Sequence, residues 1–109
     1  MLALSSSAKI YICKEPINML NGFEGLLSTV SRIFEILVVF DAYFVFVNKK
    51  YNRLKVLYWD GDGYVIWYKR LEKGRFLFKN LHQNLIDRKA FLMLLEGITP
   101  KHINKRYKV

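Results

Sequence analysis

The residues of this chain with the clearest chemical potential are its cations, most of which lie in the second half. Residues 48–109 carry fifteen Lys and Arg against five Asp and Glu, whereas residues 1–47 carry three against four. The net charge is therefore +10 in the second segment and −1 in the first, within a chain of formal charge +9. Such an asymmetry indicates a polyanionic partner, nucleic acid above all. The competing interpretation is a solvated basic face that keeps the protein in solution.

The cations fall in a segment that also contains aromatic residues. Lys and Arg neutralise phosphates, and Tyr or Trp beside them can stack on exposed bases. The candidate nucleic-acid-binding residues are Lys49, Lys50, Arg53, Lys55, Lys69, Arg70, Lys73 and Arg75. The candidate contacts to a protein partner are the aromatic residues Tyr58, Trp59, Tyr64, Trp67 and Tyr68. For these aromatic side chains, packing in the core is an equally good interpretation.

Other chemistry finds little support in the residue pattern. Asp60 and Asp62 are close enough to share a divalent cation, but Asp and Gly are also the residues that a tight turn requires, which favours a turn without metal. His82, His102 and Cys13 have no neighbouring group that would make a catalytic or metal-ligating set. The sequence contains no phosphate-binding loop, dinucleotide fingerprint or zinc spacing. It predicts a protein that is not an enzyme and has neither cofactor nor metal.

Length and composition predict a single domain over residues 1–109. The chain is 52% hydrophobic and 16% aromatic, enough for a core without disulfides or a structural metal. We expect an ordered core over residues 9–98 and a loose basic tail over residues 99–109. A secretory signal and an uninterrupted apolar span are both lacking, so a soluble, cytoplasmic protein without a membrane partner is expected.

The elements that must position the cations follow from periodicity. A short strand is predicted at residues 10–13, and apolar residues spaced by 3.6 predict a helix over residues 22–38. A β-meander is predicted over residues 43–68, and a second helix over residues 87–96 with Asp87 as its N-cap. The predicted fold is α+β, a small antiparallel meander of three to four strands packed with two helices.

The turns of the meander also predict its register. A tip at Gly61 and Asp62 places Trp59 opposite Tyr64 and Lys55 opposite Tyr68, and a first turn centred on residues 50–51 places residue 46 opposite residue 55. Both faces of this sheet are apolar, so helices must cover one, and the other is either covered as well or offered to a partner. The middle strand is antiparallel to both neighbours, so the two groups of cations are expected at one end of the sheet and the acidic turn at the other.

Two segments carry a family resemblance: NKKYNRLKVLYWDGDG at residues 48–63 and WYKRLEKGRF at residues 67–76. The motifs Met19-x-x-Gly22-x-x-Gly25-Leu26 and Leu94-Leu95-Glu96-Gly97-Ile98 extend it over residues 10–98. The chain resembles the small TnpB accessory proteins of the IS66 family of bacterial insertion sequences. The resemblance implies a role in DNA transposition beside a transposase, without being the DDE catalyst itself.

This chain departs from the family pattern at two places. The family usually has Asp-Met-Arg followed by a variable residue and Gly, where this chain has Asn18-Met19-Leu20 before Asn21 and Gly22. The family usually has Arg between the two turn aspartates, where Gly61 stands. Two cationic positions are therefore lost, which weakens any contact that the first loop makes with DNA or a transposase.

These observations predict a non-catalytic accessory protein of transposition that binds DNA, the cognate transposase or both through a basic and aromatic surface. One alternative is a protein-interaction adaptor that does not bind DNA. Another is a small toxin-type ribonuclease, which is similar in size, charge and α+β content but needs an acid–base pair that the sequence does not indicate.

Overall fold

The computed structural model describes residues 8–34, 42–76 and 85–96. These residues form two helices and a five-stranded sheet, which confirms the α+β class. The elements are β1 (Lys9–Ile12), α1 (Phe23–Phe34), β2 (Ala42–Val47), β3 (Arg53–Trp59), β4 (Tyr64–Arg70), β5 (Leu85–Ile86) and α2 (Arg88–Leu95). The predicted number of strands was too low because β5 has only two residues, too few for an alternating pattern to be recognised.

The sheet is mixed rather than purely antiparallel. Its strand order is β4-β3-β2-β1-β5, with β1 parallel to β2 and every other neighbouring pair antiparallel. A parallel pair needs a crossover connection, and α1 lies between β1 and β2 in the chain. The meander β2-β3-β4 is therefore extended on one side by a β1-α1-β2 unit, and β1 occupies a central position in the sheet.

The register of the meander is the predicted one. Trp59 pairs with Tyr64, and Lys55 pairs with both Tyr68 and Phe46. The amide of Asp60 donates to the Gly63 carbonyl at 2.8 Å, which closes the hairpin around a two-residue tip. Turn chemistry and side-chain alternation thus determine which residues share a face.

A helix covers each face of the sheet, so neither face is left open as a whole. On one face Leu26 and Val30 of α1 pack in a cluster with Phe44, Phe46 and Leu57. On the other face the buried residues of α2 pack in a cluster with residues of β1, β2 and β3: Phe91, Leu94, Leu95, Ile10, Ile12, Tyr43, Val45, Leu54 and Val56. The two-sided apolar pattern of β2, which is buried along its whole length, reflects these two layers.

The helix boundaries agree with the sequence signals where they are described. The helix α1 begins at Phe23, and the last predicted residues of this helix, 35–38, lie outside the described residues. Asp87 is the N-cap of α2, as predicted, and its carboxylate accepts a hydrogen bond from the Ala90 amide at 2.7 Å. The predicted tail, residues 99–109, is also outside the described part. No helix within that part has the length and apolarity needed to cross a membrane.

Candidate nucleic-acid interface

The turn between β2 and β3 is built around the side chain of Asn48. Its Oδ1 accepts hydrogen bonds from the amides of Asn52 at 3.1 Å and Arg53 at 3.0 Å. Its Nδ2 donates to Oδ1 of Asn52 at 2.8 Å, and its carbonyl accepts from the Tyr51 amide at 3.0 Å. Asn48 therefore fixes the loop that carries Lys49 and Lys50, by the local side-chain bonding for which Asn is favoured in turns.

This turn is tied to the segment that follows β4. The Leu71 amide donates to the Asn52 carbonyl at 2.8 Å, and the Phe76 amide donates to the Tyr51 carbonyl at 2.6 Å. Tyr51 adopts a left-handed backbone conformation with φ of 58°, which is unusual for a large side chain. Phe76 is 1% exposed and packs in the α2-side core, so the segment after β4 is anchored against the turn.

These bonds bring two groups of cations together at one end of the sheet, as the topology predicted. We call this group the basic edge. Five of its members are exposed and Arg53 is half-buried; the members are Lys49, Lys50, Arg53, Arg70, Lys73 and Arg75. Arg53 lies directly opposite Arg70 in the β3–β4 register. The described ion pair within the group joins Arg70 Nη2 to Glu72 Oε1 at 2.8 Å, with both side chains more than half exposed.

Lys69 is directed away from the basic edge. Its Nζ donates to the Leu95 carbonyl at 2.8 Å, at the last residue of α2. A cation at a helix C-terminus satisfies a carbonyl that lacks an intrahelical donor and interacts favourably with the helix dipole. The structure thus assigns Lys69 a contact that joins β4 to α2, which its position in the sequence did not indicate.

Lys55 does not belong to the exposed surface, contrary to the prediction. It is 8% exposed, and its Nζ donates to the carbonyls of Met19 at 2.7 Å and Asn21 at 2.8 Å. The ammonium also lies 5.0 Å from the centre of the Tyr68 ring. Burial lowers the pKa of Lys55. Its side chain lies on the α1 side of the sheet and fixes the loop before α1.

The aromatic residues proposed as partner contacts are divided between the two faces. Tyr58 and Trp67 pack against the α2-side cluster, and burial raises the pKa of Tyr58, with a smaller contribution from the charge of Asp60. On the α1 side, Trp59 and Tyr64 form an edge-to-face pair with ring centres 4.9 Å apart. Tyr68, on the same side, is 48% exposed. They do not form one continuous aromatic surface.

The acidic turn lies at the opposite end of the β3–β4 hairpin from the basic edge. Asp60 and Asp62 are exposed, and Gly61 between them has φ of 81°, a conformation that favours glycine. Among residues 8–34, 42–76 and 85–96, no three His, Cys, Asp or Glu side chains are grouped so as to hold a metal ion. Cys13 is buried, and desolvation raises the pKa of its thiol. His82 and His102 lie outside the described residues.

Sequence reasoning missed the residues that position the basic edge. Asn48, Asn52 and Phe76 hold the two segments together, but only the Asn at the start of a predicted turn gave a signal in the sequence. Within the motif of Met19, Gly22 and Gly25, the structure gives a reason for the glycine at residue 25. The side chain of Asn21 fills the space that a Cβ at residue 25 would need.

The fold is that of a small α+β protein in which hydrogen bonds join two cation-bearing segments at one end of the sheet. The model of the IS66 Orf2 like proteins (TnpB) matches residues 8–105, and the chain belongs to this family. Two relatives are uncharacterized proteins of Sinorhizobium fredii. Protein y4jC is 27% identical over 112 residues, covering 97% of this chain and 92% of the relative. Protein y4hO is 28% identical over 104 residues, covering 94% of this chain and 90% of the relative. No solved structure matches the chain.

Membership in this family makes the chain a transposition-associated accessory protein of an insertion sequence. The proteins of this family are accessory proteins and are not known enzymes.

Proposed function

We propose that this accessory protein binds the phosphate backbone of DNA through the basic edge, without strong sequence preference. The observation that carries the proposal is the pair of backbone hydrogen bonds from Leu71 to Asn52 and from Phe76 to Tyr51, which joins the two cationic segments. Six cations and one carboxylate, Glu72, then lie at one end of the sheet.

The electrostatics of this group support a polyanionic ligand. Arg53 and Arg70 are cross-strand neighbours, and like charges in that position destabilise a sheet. Lys49 and Lys50 add charge on the adjoining turn. A DNA backbone placed against this end would relieve the repulsion and release its condensed counterions, so binding would be stronger at low salt.

The rigidity of the turn supports the same ligand. The side-chain bonds of Asn48 and the anchored Phe76 fix the main chain that carries the cations before any ligand is bound. A preformed arrangement reduces the entropy that binding must overcome. Contacts to phosphates fix the register and orientation of a protein on DNA but carry no sequence information. Lys and Arg residues on a fixed main chain at one end of a sheet suit such contacts.

The test is the salt dependence of binding to duplex DNA that carries a terminal repeat, with a scrambled duplex beside it. We expect similar affinity for the two duplexes and a log–log slope of about −0.9 per phosphate neutralised. Lys50→Gln and Arg75→Gln each flatten the slope by about one unit. The matched control is Lys14→Gln, an exposed lysine outside the basic edge.

Two results would contradict the proposal. One is an absence of measurable binding at about 50 mM salt, with or without the cognate transposase, conditions that favour electrostatic association. The other is an equal loss of affinity in Lys14→Gln and Lys50→Gln, which would assign binding to overall charge.

An adaptor function has one observation in its favour, the exposed apolar side chains on the α1 side. Leu20 is 91% exposed at the tip of a turn, and Phe23 and Tyr68 are 46% and 48% exposed. The Asn18 side chain accepts a hydrogen bond from the Leu20 amide at 2.8 Å, and Lys55 binds the carbonyls on either side of this residue. A rigidly presented leucine suits an apolar pocket on a protein such as the transposase. Loss of transposase pull-down in Leu20→Asn, with DNA binding retained, would identify this contact.

A further inference from the structure

The strand β4 has an outer edge that no strand of the described residues occupies, because the sheet order ends with β4. Two hydrogen bonds show which main-chain groups face outward. Gly63 accepts from Asp60, and Leu71 donates to Asn52, so odd-numbered residues bond to the β3 side. Alternation in an antiparallel pair then directs the amides and carbonyls of the even-numbered residues away from β3. These residues are Tyr64, Ile66, Tyr68 and Arg70.

This edge lacks the features that usually prevent one strand from pairing with another. Edge strands are commonly protected by proline, a bulge or a lysine. Residues 64–68 contain no charge and no proline, and the β3–β4 register runs through seven consecutive pairs without a bulge. Lys69 does not protect the edge, because its ammonium is held at the end of α2. Within residues 8–34, 42–76 and 85–96, no strand pairs with these outward main-chain groups, which can therefore accept a further strand.

The charges at the two ends of β4 indicate what that strand is. Asp60 and Asp62 precede β4, and Arg70 ends it, with an apolar stretch between them. If two copies of β4 ran parallel, the acidic end of one would face the acidic end of the other. If they run antiparallel, the acidic end of each copy faces the basic end of the other. We propose that β4 pairs with β4 of a second copy of this chain about a two-fold axis, joining the two sheets into one.

One register satisfies both the main chain and the charges. Pairing centred on Ile66 sets even-numbered residues against even-numbered residues, so the outward main-chain groups meet. It places Asp62 of each copy opposite Arg70 of the other, and Tyr64 opposite Tyr68. Opposite charges and aromatic pairs directly across strands stabilise a sheet. Two-fold symmetry uses each of these contacts twice.

The test is the oligomeric state of the full chain, measured by sedimentation velocity from about 1 to about 500 μM, a range that detects weak homodimers. We expect a dimer whose dissociation constant rises about tenfold in Asp62→Lys and in Arg70→Asp, because each change replaces two attractive pairs by repulsive ones. The double variant Asp62→Lys with Arg70→Asp recovers the affinity. The control is Glu24→Lys, the same charge change on the exposed surface of α1.

A further variant tests whether the dimer depends on main-chain hydrogen bonds of β4. Tyr68→Pro removes an outward amide while the β3–β4 hydrogen bonds keep their donors, so it abolishes the dimer. Circular dichroism checks that this variant is folded; if it is not, the charge exchange decides alone. A wild-type chain that is monomeric over the whole range would overturn the proposal, leaving the edge to a different protein. So would a dimer that the single charge reversals leave intact, or one that the double variant fails to restore.

Discussion

Replacing Lys55 by Met tests whether this lysine is structural, as its contacts indicate, or binds DNA. Methionine keeps most of the apolar side-chain volume but removes the ammonium. The carbonyls of Met19 and Asn21 then lose donors at 2.7 and 2.8 Å. We expect the folded state to be less stable and the basic edge to be unchanged, because the Lys55 ammonium is hydrogen-bonded to the loop before α1.

The magnitude follows from the contacts that are lost. A hydrogen bond from a charged group contributes about 1.5–3 kcal/mol to stability. Two effects reduce the loss. The variant no longer desolvates an ammonium, and water can reach the carbonyls because Met19 and Asn21 are only half-buried. A net loss of about 2 kcal/mol is expected. For a domain of this size, that lowers the Tm by about 8 °C.

The assay pairs Lys55→Met with Lys50→Met, the same chemical change at an exposed position. We expect Lys55→Met to lower the Tm and to leave the salt slope of DNA binding unchanged. We expect Lys50→Met to flatten the salt slope and to leave the Tm unchanged. Burial lowers the pKa of Lys55 below its ordinary value of 10.5. Between the lowered pKa and pH 10.5, the folded chain has released this proton and the unfolded chain still binds it. In that alkaline window the wild type gains stability relative to Lys55→Met as pH rises. A flattened salt slope without a lower Tm in Lys55→Met would refute the reasoning.

Three further predictions concern stability. Gly25→Ala forces the Asn21 side chain out of its place and costs about 1 kcal/mol, whereas Gly22→Ala, which meets open space, changes stability by less than about 0.5 kcal/mol in denaturant titrations. Asp87→Ala removes the N-cap of α2 and costs about 1 kcal/mol in the same measurement. Burial raises the pKa of Tyr58 above 10.0, so the folded wild type loses stability as the pH rises above 10.0. The variant Tyr58→Phe has no phenol to titrate and is expected to lack this loss. The same pH dependence of stability in both proteins would contradict the prediction.

Local rules predicted the part of the fold that depends on turns and alternation. The tip at Gly61 and Asp62 determines the β3–β4 register, and alternation then assigns each residue to a face. The N-cap at Asp87 was recognisable because Asp before an apolar helical stripe satisfies free amides. The meeting of the two cationic segments followed from topology alone, because β3 is antiparallel to both of its neighbours in the meander.

Contacts between residues far apart in the chain could not be predicted from the sequence. The parallel pairing of β1 with β2 depends on how α1 packs, and β5 pairs with β1 through two residues only. The roles of Lys55 and Lys69 depend on carbonyls 36 and 26 residues away in the chain. No local pattern distinguishes these lysines from Lys50, although their ammonium groups lie in three different environments.

The hairpin β3–β4 carries both proposed surfaces, and Arg70 is the residue that the two proposals share. DNA binding depends on cations at the open end of the hairpin, where Lys50 and Arg75 are exposed. Dimerisation depends on the outward main chain of β4 and on the pairing of Asp62, at the closed end, with Arg70 of the other copy. Lys50→Gln therefore changes the salt slope without affecting the dimer, and Asp62→Lys weakens the dimer without removing a cation. Because antiparallel pairing places the basic edges at opposite ends of the joined sheet, each copy retains its own DNA contact. Arg70 faces Asp62 of the other copy in the dimer, so the salt slope measured per copy is expected to be smaller for the dimer by at most about one unit.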